Sequence, residues 1–215
     1  MLDKFKNPNI ILFLPWRKSS DVSMITRNLS VEDAEKIHDA FRSVSINRNQ
    51  ERMPDYGFFE YPLSLDDFKA RLYDSRLSIA LEDGKRRELL AYVLAYPFWQ
   101  IPDLDTKNDL VLPRLKGHPE LVYVDQFFMK PGLPAFIAGR LVDIWTTLAQ
   151  GYTRQGTVCA IPQNPWKNIP STRFAIDRGF SRQGVVKGKN IEFAIFGKPF
   201  WELGDKTSNL SLSIK

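Results

Sequence analysis

Residues 121–161 constrain this chain more than any other stretch. Leu121 to Met129 reads Leu-Val-Tyr-Val-Asp-Gln-Phe-Phe-Met, apolar on both faces apart from Asp125 and Gln126. A strand covered on both sides needs that pattern. A loop from Pro131 to Pro134 follows, and Ala135 to Gln150 then sets Ile137, Leu141, Ile144, Trp145 and Leu148 on one helical face, with Gly151 as its stop. Thr157 to Ile161 is a short apolar strand. Strand, helix and strand in this order predict a right-handed crossover between two parallel strands. The rest of the fold must be built around that pair.

Upstream, Ser23 to Asn28 alternates as a strand. Ser30-Val-Glu-Asp33 then reads as a helix start, with Ala34, Ile37, Ala40 and Phe41 on one face as far as Ser43. Val44 to Pro62 is irregular, with Pro54 and Gly57. Ser64 caps a second helix that turns Phe68, Leu72 and Ala70 inward. Leu77 to Leu81 and Leu89 to Tyr96 flank the turn Glu82-Asp83-Gly84-Lys85, a hairpin signal. Phe98 to Glu120, with Pro102, Pro113 and Pro119, is a connection long enough to be functional or packed by its own apolar residues. Downstream come a short helix, Ser171 to Arg178, and a hairpin of Ser181 to Val186 with Ile191 to Phe196 across Lys187–Asn190. The order β, α, α, β, β, β, α, β, α, β, β predicts an α+β fold. Its twisted sheet is mostly antiparallel with a central parallel pair, strands 121–129 and 157–161, flanked by helices.

Composition narrows the chemistry. A chain of 215 residues can bury about 70% of its surface, and 43% hydrophobic residues exclude a disordered one. We read one domain over residues 21–200, an N-terminal arm over 1–20 and a polar tail over 201–215. A single cysteine, Cys159, excludes an intramolecular disulfide, and with two histidines, His38 and His118, no metal site is expected. The net charge of +5 is a mild tilt, gathered in Lys85–Arg87, Arg178–Arg182 and Lys187–Lys189. It leaves a nucleic-acid partner open without favouring it. The apolar run Ile10–Trp16 is shorter than the ~20 residues a membrane span needs, and no small-residue cleavage site follows it. It reads as an arm that docks on the domain or on a protein partner. The expected setting is cytoplasmic, with no membrane association.

The stretch Asn168-Ile-Pro-Ser171-Thr-Arg-Phe174-Ala175-Ile-Asp-Arg-Gly179-Phe180 is similar to a segment of the GNAT (Gcn5-related N-acetyltransferase) family, Asn-x-x-Ala/Ser-x-x-Leu/Phe-Tyr-x-x-x-Gly-Phe. The element order resembles that family's fold over about Met24 to Phe196. Spacing places Ser171 and Phe174 one turn apart, buried against the sheet, and lets Gly179 end the helix with a positive φ. The resemblance implies acetyl-CoA as cosubstrate, an amine acceptor and direct attack of the amine. It also implies that Asn168 and Ser171 lie at the cofactor and that the N–H near Phe128 or Met129 polarises the thioester carbonyl.

Two family elements are altered. The pyrophosphate loop, Gln/Arg-x-x-Gly-x-Gly/Ala, corresponds here to Met129 through Arg140. Phe136 or Ile137 stands for the middle glycine, Ala138 or Gly139 is the final small residue, and Ala135 and Arg140 lie beside them. Pro134 has no N–H to offer, and Phe136 would crowd a diphosphate. A modified phosphate site and a helix start packed by apolar side chains both fit. The Tyr that protonates the leaving thiolate in many family members is Ala175 here. Asp125, the only acid in its strand, is the candidate general base, since burial raises a carboxyl toward working pH. It equally suits a strand bulge or an acceptor of backbone hydrogen bonds. Tyr123 shares its face and is the candidate acid.

Cys159 as a nucleophile, with His38 or His118, competes with a small core residue in a buried strand, the more frequent role. Trp99, Trp166 and Trp201 with Phe98 and Phe200 suit a stacking platform for bases or the edges of the core. Two functions from different classes follow. One is an acyl-CoA-dependent N-acyltransferase. The other is a binding or structural protein that keeps the fold without the chemistry, such as an assembly or virion-associated component or a host-factor binder.

Overall fold

A computed structural model describes residues 24–46, 58–59, 63–73, 76–103, 111–115, 120–153, 155–165 and 167–200. The arm with Ile10–Trp16, the tail from Trp201, His118 and Trp166 lie outside the described residues. Seven strands form one sheet: β1 (Met24–Asn28), β2 (Ile79–Asp83), β3 (Leu89–Pro97), β4 (Val122–Met129), β5 (Gly156–Asn164), β6 (Ser181–Lys187) and β7 (Glu192–Pro199). Their order across the sheet is β1-β2-β3-β4-β5-β7-β6. Every neighbouring pair is antiparallel except β4 and β5. The expected α+β architecture with a central parallel pair is therefore the observed one.

Four helices cover the sheet: α1 (Ala34–Ser43), α2 (Leu65–Leu72), α3 (Ala135–Tyr152) and α4 (Ile169–Asp177). Side-chain alternation along β3 sorts them into two layers. Tyr92 and Leu94 pack with Ile37, Phe41, Phe68 and Leu72 of α1 and α2. Ala91, Val93 and Ala95 pack with Ile137, Leu141, Trp145 and Ala149 of α3. Local chemistry fixes the helix starts. Ser64 N–H donates to Asp67 Oδ2 at 2.7 Å while Asp67 N–H donates back to Ser64 Oγ at 3.2 Å, which satisfies two amides left open by the first turn. Ser30 N–H donates to Asp33 Oδ2 at 2.9 Å in the same way, ahead of a short 3₁₀ turn over Val31–Asp33.

The differences from expectation have local causes. Gly151 does not stop α3, whose last turn runs on to Tyr152 and is tied down by Thr153 N–H donating to the Ala149 carbonyl. The fifth strand continues past Pro162 to Asn164 because it pairs with β7, with a register shift between Pro162 and Asn164 that accommodates the ring. The turn of the first hairpin shifts by two residues: Asp83 Oδ1 accepts from Lys85 and Arg86 N–H, and Arg87 takes a positive φ of 56°. In the irregular region, Ser45–Ile46 and Phe58–Phe59 form a two-residue parallel pair. The long connection holds 3₁₀ turns over Phe98–Asp103 and one helical turn, Leu112–Leu115, with Val111 and Leu112 buried beside Tyr96 and Tyr123. Ala70 is exposed, and Arg71 is buried in its place. No helix among the described residues is long and apolar enough to cross a membrane.

At the β1 edge, Arg27 holds Asp33 at 2.7 and 2.6 Å and Glu82 at 2.8 Å, and Lys36 Nζ reaches Glu82 at 2.6 Å. Burial pushes both carboxyls up, but the hydrogen bonds and charge of Arg27 outweigh it and hold them below the usual carboxylate range. Carboxyls lowered on folding contribute stability that is complete above their unfolded values, near pH 4, and lost as pH falls through the folded ones. Arg27→Met should cost roughly 2–4 kcal/mol at pH 7, since it leaves two largely buried carboxylates without their main partner. In urea melts the gap from the parent should shrink as pH falls from about 5 to about 2. A gap independent of pH would contradict this account.

Candidate active site

The site begins with a hydrogen-bond ladder that stops. β4 and β5 pair at Val122–Thr157, Tyr123–Val158 and Val124–Cys159, and no further. Both strands continue, β4 to Met129 along β3 and β5 to Asn164 along β7. The middle of the sheet therefore opens beyond Val124. Lys130 N–H donates to the Leu90 carbonyl at 2.8 Å, which fixes the phase of β4 against β3. By the period of two, the amides of Phe127 and Met129 face the opening and that of Phe128 faces β3.

A bulge sits where the pairing ends. Val124 lies opposite Ala95 and Gln126 opposite Leu94, so Asp125 is the extra residue. Its side chain turns to the α1/α2 layer. Arg71 Nε donates to Asp125 Oδ2 at 2.8 Å, Tyr96 Oη donates to the same oxygen at 2.9 Å, and Arg71 Nη1 donates to the Asp67 carbonyl at 3.2 Å. The Arg71 side chain is 1% exposed and that of Asp125 13%. Beside them Tyr92 Oη donates to Gln126 Oε1 at 2.8 Å. The expectation that Gln126 breaks the burial of its strand is corrected, because the Tyr92 hydroxyl satisfies it within the core. Burial first, and then the Asp125 charge, lift the Tyr92 and Tyr96 phenols well above their ordinary value. Tyr123 lies on the same face, buried, with its ring 5.8 Å from that of Tyr96. Asp125 and Tyr123 thus stand together at the apex of the opening.

The proposed cofactor residues divide into three groups. Phe128 is buried in the α1/α2 layer, stacked on Tyr92 at 5.2 Å, while Met129 is half-buried on the α3 side. At the start of α3, Ala135, Phe136 and Arg140 are exposed and Ile137, Ala138 and Gly139 are buried. Pro134 is the N-cap in extended conformation, and Ile137 N–H donates to its carbonyl at 3.0 Å. Asn168 caps α4, its Oδ1 accepting from Ser171 N–H at 3.0 Å, while its own N–H donates to the Pro162 carbonyl. The starts of α3 and α4 both follow the carboxyl ends of the parallel strands, where ligands collect in sheets of this kind.

Phe136, in the first turn of α3, is 47% exposed. Two expectations about α4 are corrected. Ser171 and Phe174 are only half-buried, and Ala175 is the α4 residue packed on the sheet, against Ile161, Phe180, Ala194 and Phe196. Phe174 instead stacks on Phe127 of β4, rings 5.2 Å apart and inclined by 17°, so this pair bridges β4 and α4 at the opening. Arg178 lies over the outer face of Phe174 at 5.5 Å and bonds Asp143 of α3 at 2.8 Å. Gly139 makes room for that guanidinium, since a Cβ there would lie 1.9 Å from Arg178 Nη2. Cys159 packs against the Ala175 cluster, and burial pushes its thiol up to about 12, which leaves no thiolate for nucleophilic attack at neutral pH.

No family model matches the sequence, and no curated protein matches it. Solved structures do. The ribosomal-protein-S18-alanine N-acetyltransferase of Escherichia coli superposes with a TM-score of 0.58 at 9% identity, over 86% of this chain and 99% of that one. A putative acetyltransferase of Salmonella typhimurium, solved with acetyl-CoA, gives 0.54 at 15% identity over 85% and 96%. A mosquito arylalkylamine N-acetyltransferase-like protein gives 0.58 at 12% over 82% and 100%. The fold is that of the GNAT acetyltransferases. In GNAT terms the opening between β4 and β5 occupies the middle of the sheet, and the segment Asn168–Phe180 forms α4 and the turn after it.

Sequence reasoning missed Arg71 and Tyr96, which hold Asp125 among the described residues. Arg71 carried a signal: it falls three residues after Phe68 and one before Leu72, on the inward side of α2, where an arginine needs a buried partner. The Phe127–Phe174 contact carried none, because the two residues are 47 positions apart and each reads as ordinary core. Asn168→Ala should cost about 1–2 kcal/mol in denaturant melts through the lost cap, and Asn168→Asp, which keeps an acceptor oxygen, should recover most of it. Equal losses in both variants would contradict the capping role.

Proposed function

We propose that this chain is an acyl-CoA-dependent N-acyltransferase that moves an acetyl group to an amine by direct attack. The observation that carries the reading is the ladder that ends at Val124–Cys159 while both strands continue. Unpaired amides inside a sheet are costly unless a ligand or solvent satisfies them, and an extended amide-bearing chain is a suitable ligand. Bound acetyl-CoA would supply the thioester that the amine attacks.

The residues divide the work as follows. The Met129 N–H, aimed at the opening, donates to the carbonyl oxygen on which charge builds. The amides that the first turn of α3 leaves open would face the phosphates, aided by the positive end of the helix dipole, with Ala135, Ile137, Ala138, Gly139 and Arg140 around them; the Ile137 N–H is already held by the Pro134 carbonyl. Asn168 and Ser171 border the other side of the slot. Asp125, at the apex, receives the proton that the attacking nitrogen sheds, and Tyr123 is the candidate donor to the leaving sulfur. Atoms balance without further reagents: an N–C bond forms, the C–S bond breaks, and the nitrogen loses one proton. With Ala175 in the usual Tyr position, positioning carries more of the rate than acid catalysis does.

The fit is incomplete in one respect, and this favours a second reading. The Phe127–Phe174 stack bridges β4 and α4 where a pantetheine arm would pass, so the rings must part to admit it. If they do not, the chain is a binding protein on the same fold. Calorimetry with acetyl-CoA and with CoA separates the two: micromolar binding is expected, and no heat at millimolar ligand would leave the binding-protein reading. Given binding, Asp125→Asn should lower turnover by roughly 10²–10⁴-fold with little change in acetyl-CoA affinity. Unchanged turnover would remove Asp125 from the mechanism.

A further inference from the structure

Four side chains run in a row from β4 to α3. Phe127 of β4 stacks on Phe174 of α4, with the rings 5.2 Å apart. The Arg178 guanidinium covers the outer face of Phe174, 5.5 Å from its centroid. Its Nη2 lies against the backbone of Gly139 on α3, where an added Cβ would come within 1.9 Å, and its Nη1 donates to Asp143 Oδ1 at 2.8 Å. Gly139 and Asp143 are one turn apart, and Gly139 is the nearer to the start of α3 at Ala135. Four residues of helix rise, about 6 Å, separate Gly139 from that start. Lys198 of β7 is a second cation beside the pair, close enough to act on both Asp143 and Arg178. Asp143 is 64% exposed, so with solvent and Lys198 at hand it is not stranded when Arg178 moves away. An exposed carboxylate holds a guanidinium weakly. A diphosphate offers the same planar fork more charge and more acceptor oxygens.

From this geometry we infer that Arg178 is a specificity-determining residue that joins recognition of a diphosphate to the opening of the slot. The protein then selects acyl thioesters that carry a diphosphate and disfavours those that present a pantetheine arm alone. The inference rests on the acyltransferase reading, in which the phosphates lie at the start of α3 and the arm passes between β4 and α4. An anion at that start competes with Asp143 for the guanidinium. Moving toward it takes Arg178 off the Phe174 ring. Phe174 is only half-buried, so it then loses one of the two contacts that hold it and is freer to leave Phe127. A neutral pantetheine arm offers Arg178 nothing in exchange for Asp143 and must part the rings unaided. The coupling is reciprocal: the factor by which the anion favours the arm is the factor by which the arm favours the anion. Gly139 permits the closed arrangement, because the smallest side chain at that position would meet Arg178 Nη2.

The test uses the full chain and three probes: acetyl-CoA, inorganic pyrophosphate and S-acetylpantetheine, which has the arm and no phosphate. Calorimetry with acetyl-CoA comes first, so that failure of the enzyme reading is seen separately; no binding removes that reading and this inference with it. In protein that binds acetyl-CoA, millimolar pyrophosphate should tighten the binding of S-acetylpantetheine by about fivefold or more. Arg178→Met, which keeps an apolar chain of similar length and loses the charge, should abolish that gain. A merely structural role for Arg178 would weaken S-acetylpantetheine with and without pyrophosphate alike, and the gain would persist. Phe174→Leu, whose side chain has no ring to stack on Phe127, should bind S-acetylpantetheine several-fold more tightly than the parent in the absence of pyrophosphate and gain little from its addition. Pyrophosphate that leaves S-acetylpantetheine binding in the parent unchanged or weaker, a gain that survives Arg178→Met, or a Phe174→Leu protein that binds S-acetylpantetheine no better than the parent would overturn the inference.

Discussion

A buried backbone amide needs a partner, and the middle of this sheet withholds one. β4 is committed to β3 along its whole length, and β5 is committed to β7. The two can serve each other at only three positions before their directions diverge. Everything placed around them responds to that divergence. The bulge at Asp125 turns the strand at the point where pairing stops, and α3 and α4 begin beside the open ends. The Phe127–Phe174 stack, backed by Arg178, spans part of the resulting space.

The two layers on either side of the sheet do different work. The α1/α2 layer is where polar groups are buried: Arg71, Asp125 and Tyr96 in one network and Tyr92 with Gln126 in another. Such groups are tolerated only when each finds a partner, which fixes α2 against β4 more strictly than apolar packing alone would. The α3/α4 layer is apolar and adjustable by comparison. The Arg178–Asp143 bridge between its two helices is partly exposed and contributes little by itself. Entry of a long ligand from that side would disturb a ring stack and a surface ion pair, while the network on the other side stays in place.

Much of this was legible in the sequence, for identifiable reasons. The order of elements followed from hydrophobic period and from caps such as Ser64 and Asn168, whose effect is local. The parallel pair followed from a strand–helix–strand unit with one accessible topology. Asp125 stood out as the only acid in an apolar strand, and both the bulge and its proximity to Tyr123 were among the readings the residues allowed. What lay beyond reach depends on contacts distant in the chain. Arg71 is 54 positions from Asp125, and no local pattern joins them. Phe174 was assigned to the core because helical spacing does not distinguish a ring on the sheet from one turned onto a neighbouring strand.

The most direct test of the central claim is amide hydrogen exchange at Phe127 and Met129, followed residue by residue with and without saturating acetyl-CoA. If the open edge of β4 receives the ligand, exchange at both amides slows many-fold on addition, while that of Phe128, bonded to β3, changes little. Exchange at Phe127 and Met129 that is the same in both samples would mean the opening is not a ligand slot, and the account built on it would be wrong.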